Sequence, residues 1–263
     1  MPIARTSPLI IGHRGASAVA PENTLAAFAR AFDDGADGIE LDVRLARDGL
    51  PVVIHDANLR HTSGRKAKVG NLTSARLSEI DVGSWFNRAH HRFARLQYSR
   101  QTVPALDDVF RLLRNQSRKD FVVYIEMKTC RTPSLNAALA RAVVEATSRH
   151  ELHKQTVVIS FNLAAVAKIK ELDASIRTGA LFGPRQRAIR SVKTIVEAAL
   201  TSGASEILLH RLIATPRMVG RARASDLYPV VWTVDDPKWL GRASRCGIHA
   251  LITNNPARMI EAT

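Results

Sequence analysis

Cysteine is scarce in this 263-residue chain, with only Cys130 and Cys246. Neither stands in a CxxC pair or beside a histidine at zinc-ligand spacing, which excludes a disulfide scaffold and a thiolate zinc site. Aromatic residues make up 5%, and no basic run is interleaved with them. A stacking surface for single-stranded nucleic acid therefore has no support. No stretch reaches the ~18 apolar residues of a membrane span, and Met1–Pro8 lacks the apolar run of a signal peptide. The expectation is a cytoplasmic protein with reduced thiols, making at most peripheral contact with a membrane. Acidic residues are also few, 24 against 38 Lys and Arg, for a formal net charge of +14.

The basic excess is scattered in loose clusters: Arg60, Arg65, Lys66 and Lys68; His90, His91, Arg92, Arg95 and Arg100; Arg185, Arg187, Arg190 and Lys193. Such a field favours anionic partners such as phosphorylated small molecules, acidic lipid surfaces or nucleic acid. The hydrophobic fraction of 46% supports a sizeable core, and the length fits a single domain over residues 1–263.

Short apolar runs alternate with helical segments. Predicted strands are Leu9–His13, Gly38–Val43, Pro51–His55, Phe121–Met127, Thr156–Phe161, Arg177–Phe182, Glu206–His210, Pro229–Val234 and Ala250–Thr253. Predicted helices include Glu22–Asp34, Leu106–Arg114, Leu135–His150 and Ala188–Thr201, with Pro before and Gly after several of them. Repeated β-then-α units imply a parallel sheet, and this length favours closure into an α/β TIM (β/α)8 barrel. Nine candidates compete for eight places; Pro51–His55 and Ala250–Thr253 are the two in question. The link Arg44–Leu50 is too short for a helical crossover and carries Asp48-Gly49, so a hairpin-like excursion should bring His55 back beside Asp42. A polar, irregular stretch at about 56–104, with only Arg76–Ile80 helical in pattern, reads as a small insertion over one end of the barrel. Its apolar residues Leu72, Leu77, Trp85 and Phe86 read as exposed.

Polar residues collect at predicted strand ends, where barrel active sites are built. Glu40 and Asp42 are two apart in an apolar strand, so both side chains take one face while Ile39, Leu41 and Val43 take the other. Paired buried carboxylates call for a cation or a proton. Glu126 repeats the pattern with Lys128. Glu40, Asp42 and Glu126 together offer hard oxygen ligands suited to Mg²⁺ or Ca²⁺. Arg14 and Lys128 supply positive charge for a phosphate. His13 and His55 titrate near neutrality and suit a general base and a general acid, in either order. His61, His90, His91, His150, His153 and His249 read as surface residues. Trp232 fits either core or an aromatic wall. The set suits phosphodiester cleavage.

The ordered motifs Gly12-His13-Arg14-Gly15, Pro21-Glu22-Asn23-Thr24, Glu40-Leu41-Asp42-Val43, Val53-Ile54-His55-Asp56, Ile125-Glu126-Met127-Lys128, Ser160-Phe161 and Trp232-Thr233-Val234 resemble the glycerophosphodiester phosphodiesterase family. The resemblance implies a TIM barrel hydrolysing glycerophosphodiesters to an alcohol and sn-glycerol 3-phosphate. It implies a divalent cation on Glu40, Asp42 and Glu126, a catalytic pair His13 and His55, and phosphate contacts from Arg14 and Lys128. Phe161 and Trp232 would line the substrate pocket, and Glu22 would support Arg14 or the metal shell. The chain departs from the family's usual pattern at His61, Tyr124 and Asn254, positions that bear on head-group preference.

Three alternatives stand beside this. Lysophospholipase D-type hydrolysis of lysophospholipids needs an apolar acyl groove in the insertion. A non-catalytic anion-binding barrel would have lost a histidine or carboxylate, and all are present. A nuclease is motivated by charge alone, and a short barrel-mouth pocket argues against a polymer, so the expected partner is a small molecule and not a nucleic acid.

Overall fold

A computed structural model describes residues 7–116 and 120–263; residues 1–6 of the stretch Met1–Pro8 lie outside the described residues. Nine strands run β1 Leu9–His13, β2 Gly38–Leu45, β3 Pro51–Val53, β4 Val122–Met127, β5 Thr156–Ser160, β6 Arg177–Phe182, β7 Glu206–His210, β8 Tyr228–Trp232 and β9 Ala250–Thr253. Eight of them pair in parallel in the order β1-β2-β4-β5-β6-β7-β8-β9, and β9 closes on β1 through Leu9 opposite Ala250. Of the two candidates in question, Ala250–Thr253 is therefore the barrel strand. Strand β3 lies antiparallel on the end of β2, with Val53 opposite Val43 and Pro51 opposite Leu45. The backbone N–H of Ile54 then donates to the Asp42 carbonyl at 2.9 Å, which sets His55 next to β2.

Period-two alternation sorts the side chains. Ile11, Tyr124, Val157, Ile159, Leu181, Leu208, Val230 and Ile252 fill the barrel. Ile39, Leu41, Val43, Val123 and Ile125 face outward onto Phe28, Val109, Phe110, Leu139 and Val143 of the surrounding helices. Strands covered on both faces read as near-continuous apolar runs for this reason. The helix Leu106–Arg114 illustrates the local logic. Leu106, Val109, Phe110 and Leu113 form one buried stripe, Asp107 and Asp108 sit in the first turn, and Arg111 and Arg114 in the last. Each such buried side chain contributes roughly 1.5–3 kcal/mol.

Some boundaries differ from the sequence expectation. The first helix is Leu25–Asp33, capped by Thr24, whose side chain accepts from Ala27 N, so Glu22 precedes the helix and does not open it. Ala188–Thr201 is broken: a short turn Pro184–Ile189 precedes Val192–Thr201, and Ser191 caps the latter. The insertion is more ordered than its composition implies. It holds the short helices Arg60–Ser63, Ser74–Leu77 and Ser84–Ala89. Leu77 is fully buried with Leu59, Val69, Ile80 and Val82 against Val52 and Ile54. Phe86 is buried with Tyr98 against Ala20 and Ala27. The expectation of exposed Leu77 and Phe86 is thus corrected; Leu72 and Trp85 are half-buried. His150, read as a surface residue, is buried against Asp107 at 2.8 Å.

Candidate active site

The end of β1 turns sharply. Arg14 adopts φ 54° and Gly15 φ 80°; a Cβ at Gly15 would stand 2.5 Å from the Ala27 carbonyl, so only glycine fits. The turn lays Arg14 across the carboxylates of β2. Its backbone N–H donates to Glu40 Oε2 at 3.0 Å. Its guanidinium lies 3.2 Å from Asp42 Oδ2 and donates to both Glu22 oxygens at 3.1 Å. Lys128 Nζ sits on the other side, 2.9 Å from Asp42 and 2.5 Å from Glu126.

Glu40, Asp42 and Glu126 each bring a carboxylate oxygen within 4.8 Å of the others. Burial with the Asp42 charge pushes Glu40 up to about 8 and Glu126 up to about 7. Burial also pushes Asp42 upward, but Lys128 and Arg14 outweigh it and hold that carboxyl at about 2. Three carboxylates thus share two fixed cations, with Asp42 Oδ1 facing the Lys128 ammonium at 2.9 Å. A cluster of hard oxygens short of positive charge fits a divalent cation of the Mg²⁺ or Ca²⁺ type.

The two histidines differ in their partners. His13 Nδ1 lies 2.7 Å from Asn254 Oδ1, and its Nε2 is 3.9 Å from Glu40. His55 Nδ1 lies 2.9 Å from the carboxylate of Asp56, and Arg44 Nε donates to the His55 carbonyl at 2.8 Å. Burial lowers both imidazoles; Arg14 adds to this at each, and the Nδ1 partners oppose it. Phe161 and Trp232 meet edge to face at 5.6 Å, with His210 5.0 Å from the Trp232 ring.

Several residues beyond the sequence candidates join the site. Asn23 is buried, donates to Asp42 Oδ2 at 2.8 Å and accepts from Asp42 N; it stands in the quoted Pro21–Thr24 motif, which was its signal. Asp56 stands beside His55 in sequence, and the fold turns its carboxylate onto the ring. The departures fall in different places. Tyr124 points to the barrel floor, donating to Glu206 Oε2 at 2.8 Å, away from the strand-end carboxylates. Asn254 meets His13. His61 lies 4.0 Å from Asp56 and 4.8 Å from the Trp85 ring.

The barrel with its carboxylate cluster at the strand ends is the frame of a phosphoric diester hydrolase of the TIM-barrel class. The glycerophosphoryl diester phosphodiesterase family profile matches residues 13–258, and the chain belongs to that family. It is 30% identical over 96% of its length to a glycerophosphodiester phosphodiesterase of Caldanaerobacter subterraneus, covering 96% of that protein. A phosphodiesterase of Oleispira antarctica, solved with the product sn-glycerol-3-phosphate, superposes with TM-score 0.82 at 25% identity, covering 97% of this chain and 96% of that one. A glycerophosphodiester phosphodiesterase of Agrobacterium tumefaciens gives 0.77 at 26% identity, covering 97% and 99%.

Proposed function

We propose that this chain hydrolyses water-soluble glycerophosphodiesters to an alcohol and sn-glycerol 3-phosphate, with His13 and His55 as the proton-transfer pair. The observation that carries this is the charge-deficient carboxylate cluster beside Arg14, Lys128 and His13. Glu40, Asp42 and Glu126 would hold a divalent cation, Mg²⁺ or Ca²⁺, which when bound neutralises charge on the phosphodiester oxygens. Arg14, steadied by Glu22, and Lys128 offer N–H donors to the same oxygens. One histidine takes a proton from the attacking oxygen and the other returns one to the departing alcohol. Phe161 and Trp232 wall the organic part of the substrate. The chain works as one domain, and its two unpaired cysteines fit a cytoplasmic setting.

The lysophospholipid alternative cannot draw on Leu77 and Phe86, which are buried; the large apolar side chains that the insertion exposes are Phe93 and Leu96. Among the described residues, no helix is long and apolar enough to cross a membrane.

The test is enzymatic release of glycerol 3-phosphate from glycerophosphocholine, with EDTA and then with Mg²⁺ or Ca²⁺ restored. Release that needs the metal and falls ~10²-fold or more in His13→Ala is expected. Turnover unaffected by EDTA, or by loss of His13, would remove the metal or the histidine from the reaction.

A further inference from the structure

Asn254 follows β9 and lies 241 positions from His13, yet its carbonyl meets His13 Nδ1 at 2.7 Å. The same oxygen accepts from Ser17 Oγ at 3.0 Å. Its amide nitrogen donates to Asp235 Oδ2 at 2.8 Å. Asp235 is itself pinned, because its Oδ1 accepts from Thr253 Oγ1 at 2.9 Å and from Asn254 N at 2.8 Å.

An amide can be turned either way round, and only its partners decide which end is oxygen. Here they do decide. A carboxylate accepts and cannot donate, so the NH₂ of Asn254 must face Asp235. The carbonyl oxygen is then left facing His13 and Ser17. A carbonyl oxygen has no proton to give, so the proton in the 2.7 Å contact belongs to His13 Nδ1. In the neutral ring, Nε2 is then bare. The structure makes no competing demand, since Glu40 at 3.9 Å is beyond hydrogen-bond reach of Nε2.

We propose that Asn254, locked by Asp235, is a positioning residue that holds His13 in the Nδ1–H tautomer with an unprotonated Nε2 directed at the carboxylate cluster. His55 is differently equipped. Its Nδ1 faces the carboxylate of Asp56, which supports a charged ring as well as a neutral one. The arrangement suits His13 to receiving a proton and His55 to giving one, and this consequence rests on the proposed hydrolysis; the tautomer itself does not.

Two measurements separate them. In protein labelled with ¹⁵N-histidine, long-range ¹H–¹⁵N spectra report which ring nitrogen carries the proton, and His13→Gln identifies the signal by its loss. A protonated Nδ1 and bare Nε2 are expected for His13, giving way to the opposite tautomer or a mixture in Asn254→Ala. In the glycerophosphodiester assay, Asn254→Ala should lower kcat ~10- to 100-fold with KM little changed. Asn254→Asp combined with Asp235→Asn, which keeps an acceptor facing His13 and supplies a donor in place of the Asp235 carboxylate, should restore most of it. Asp235→Asn, which no longer dictates the amide's orientation, should fall between. A His13 ring protonated at Nε2 in the native protein, or one whose tautomer survives Asn254→Ala, overturns the proposal. The tautomer confirmed with no turnover of any glycerophosphodiester would leave it standing and overturn the proposed reaction instead.

Discussion

The ammonium of Lys128 lies 2.9 Å from Asp42 Oδ1, inside the cluster of carboxylates that would receive a cation. It also reaches Glu126 at 2.5 Å, so one side chain neutralises two carboxylates. Lys128 is 14% exposed and Asp42 1%, so this is a largely desolvated contact, and breaking such a pair leaves a buried charge uncompensated. Lys128→Met should therefore destabilise the metal-free protein by up to about 3 kcal/mol, the low end for such pairs, because Arg14 still faces Asp42 at 3.2 Å. Saturating Mg²⁺ should recover much of that loss by supplying the missing charge. Thermal melts of both proteins with and without metal check this; equal melts in the absence of metal would show that Lys128 is not neutralising Asp42.

In the same cluster, binding of a cation would be coupled to protons. Glu40 and Glu126 have folded-state values of about 8 and about 7, above the ordinary carboxylate value. The folded protein then binds more protons than the unfolded chain from about pH 4.5 upward, so metal-free stability should fall as pH rises toward 8. Asp42, held at about 2, has the opposite sign. Its contribution is full above the ordinary aspartate value and is lost as pH falls through about 2. A divalent cation needs all three ionised, so Mg²⁺ binding at about pH 6.5 should release protons and tighten as pH rises to about 8. Calorimetric titration in buffers of different ionisation enthalpy counts the protons, and a count of zero at that lower pH would contradict the upward shifts.

A buried carboxylate outside the cluster makes a control at the far end of the barrel. Glu206, the first residue of β7, is 1% exposed, accepts from Tyr124 and pairs with Arg177 at 3.4 Å. Burial raises it to about 7 against the pull of Arg177 and the Tyr124 hydroxyl. It therefore costs stability as pH rises from about 4.5 through 7. Glu206→Gln keeps the acceptor for Tyr124 and removes the titration. The pH dependence of unfolding should flatten there by up to about 1.4 kcal/mol per pH unit, while Mg²⁺ affinity stays as it was. Urea melts from about pH 5 to about pH 8 read the first and calorimetry the second; an unchanged pH slope would show that Glu206 is ionised throughout.

The barrel was legible because strands buried on both faces declare themselves as short apolar runs bounded by turn residues. Thr156–Ser160, buried at every position, is such a run, and the Asp48-Gly49 turn likewise announced the return of His55. The insertion was not legible for a physical reason. Leu59, Val69, Leu77 and Ile80 follow no helical or strand period, and they are buried by Val52 and Ile54 from the neighbouring hairpin. The carboxylate and lysine positions followed from period-two geometry, but the partners of the histidines did not. Asn254 is brought to His13 only by closure of the last strand on the first, which no local pattern encodes. Tyr124 has the same face as Glu126, and only the structure shows that its hydroxyl turns down to Glu206.

The facing rings of Phe161 and Trp232 allow binding to be separated from chemistry. Phe161 is 40% exposed and meets Trp232 edge to face at 5.6 Å, while in the proposed reaction Arg14 and Lys128 would hold the phosphate. An aromatic wall that touches only the organic part of the substrate contributes equally to the ground state and the transition state, so its removal raises KM and spares kcat. Phe161→Ala should therefore raise KM for glycerophosphocholine ~10-fold, the worth of one aromatic contact of about 1.4 kcal/mol, with kcat within ~3-fold. Trp232→Phe keeps a ring opposite Phe161 and should change KM less. Steady-state kinetics on the two variants decide it. A fall in kcat at constant KM would mean that Phe161 orients the reacting phosphate itself, and the pocket wall would have to be sought elsewhere at the barrel mouth.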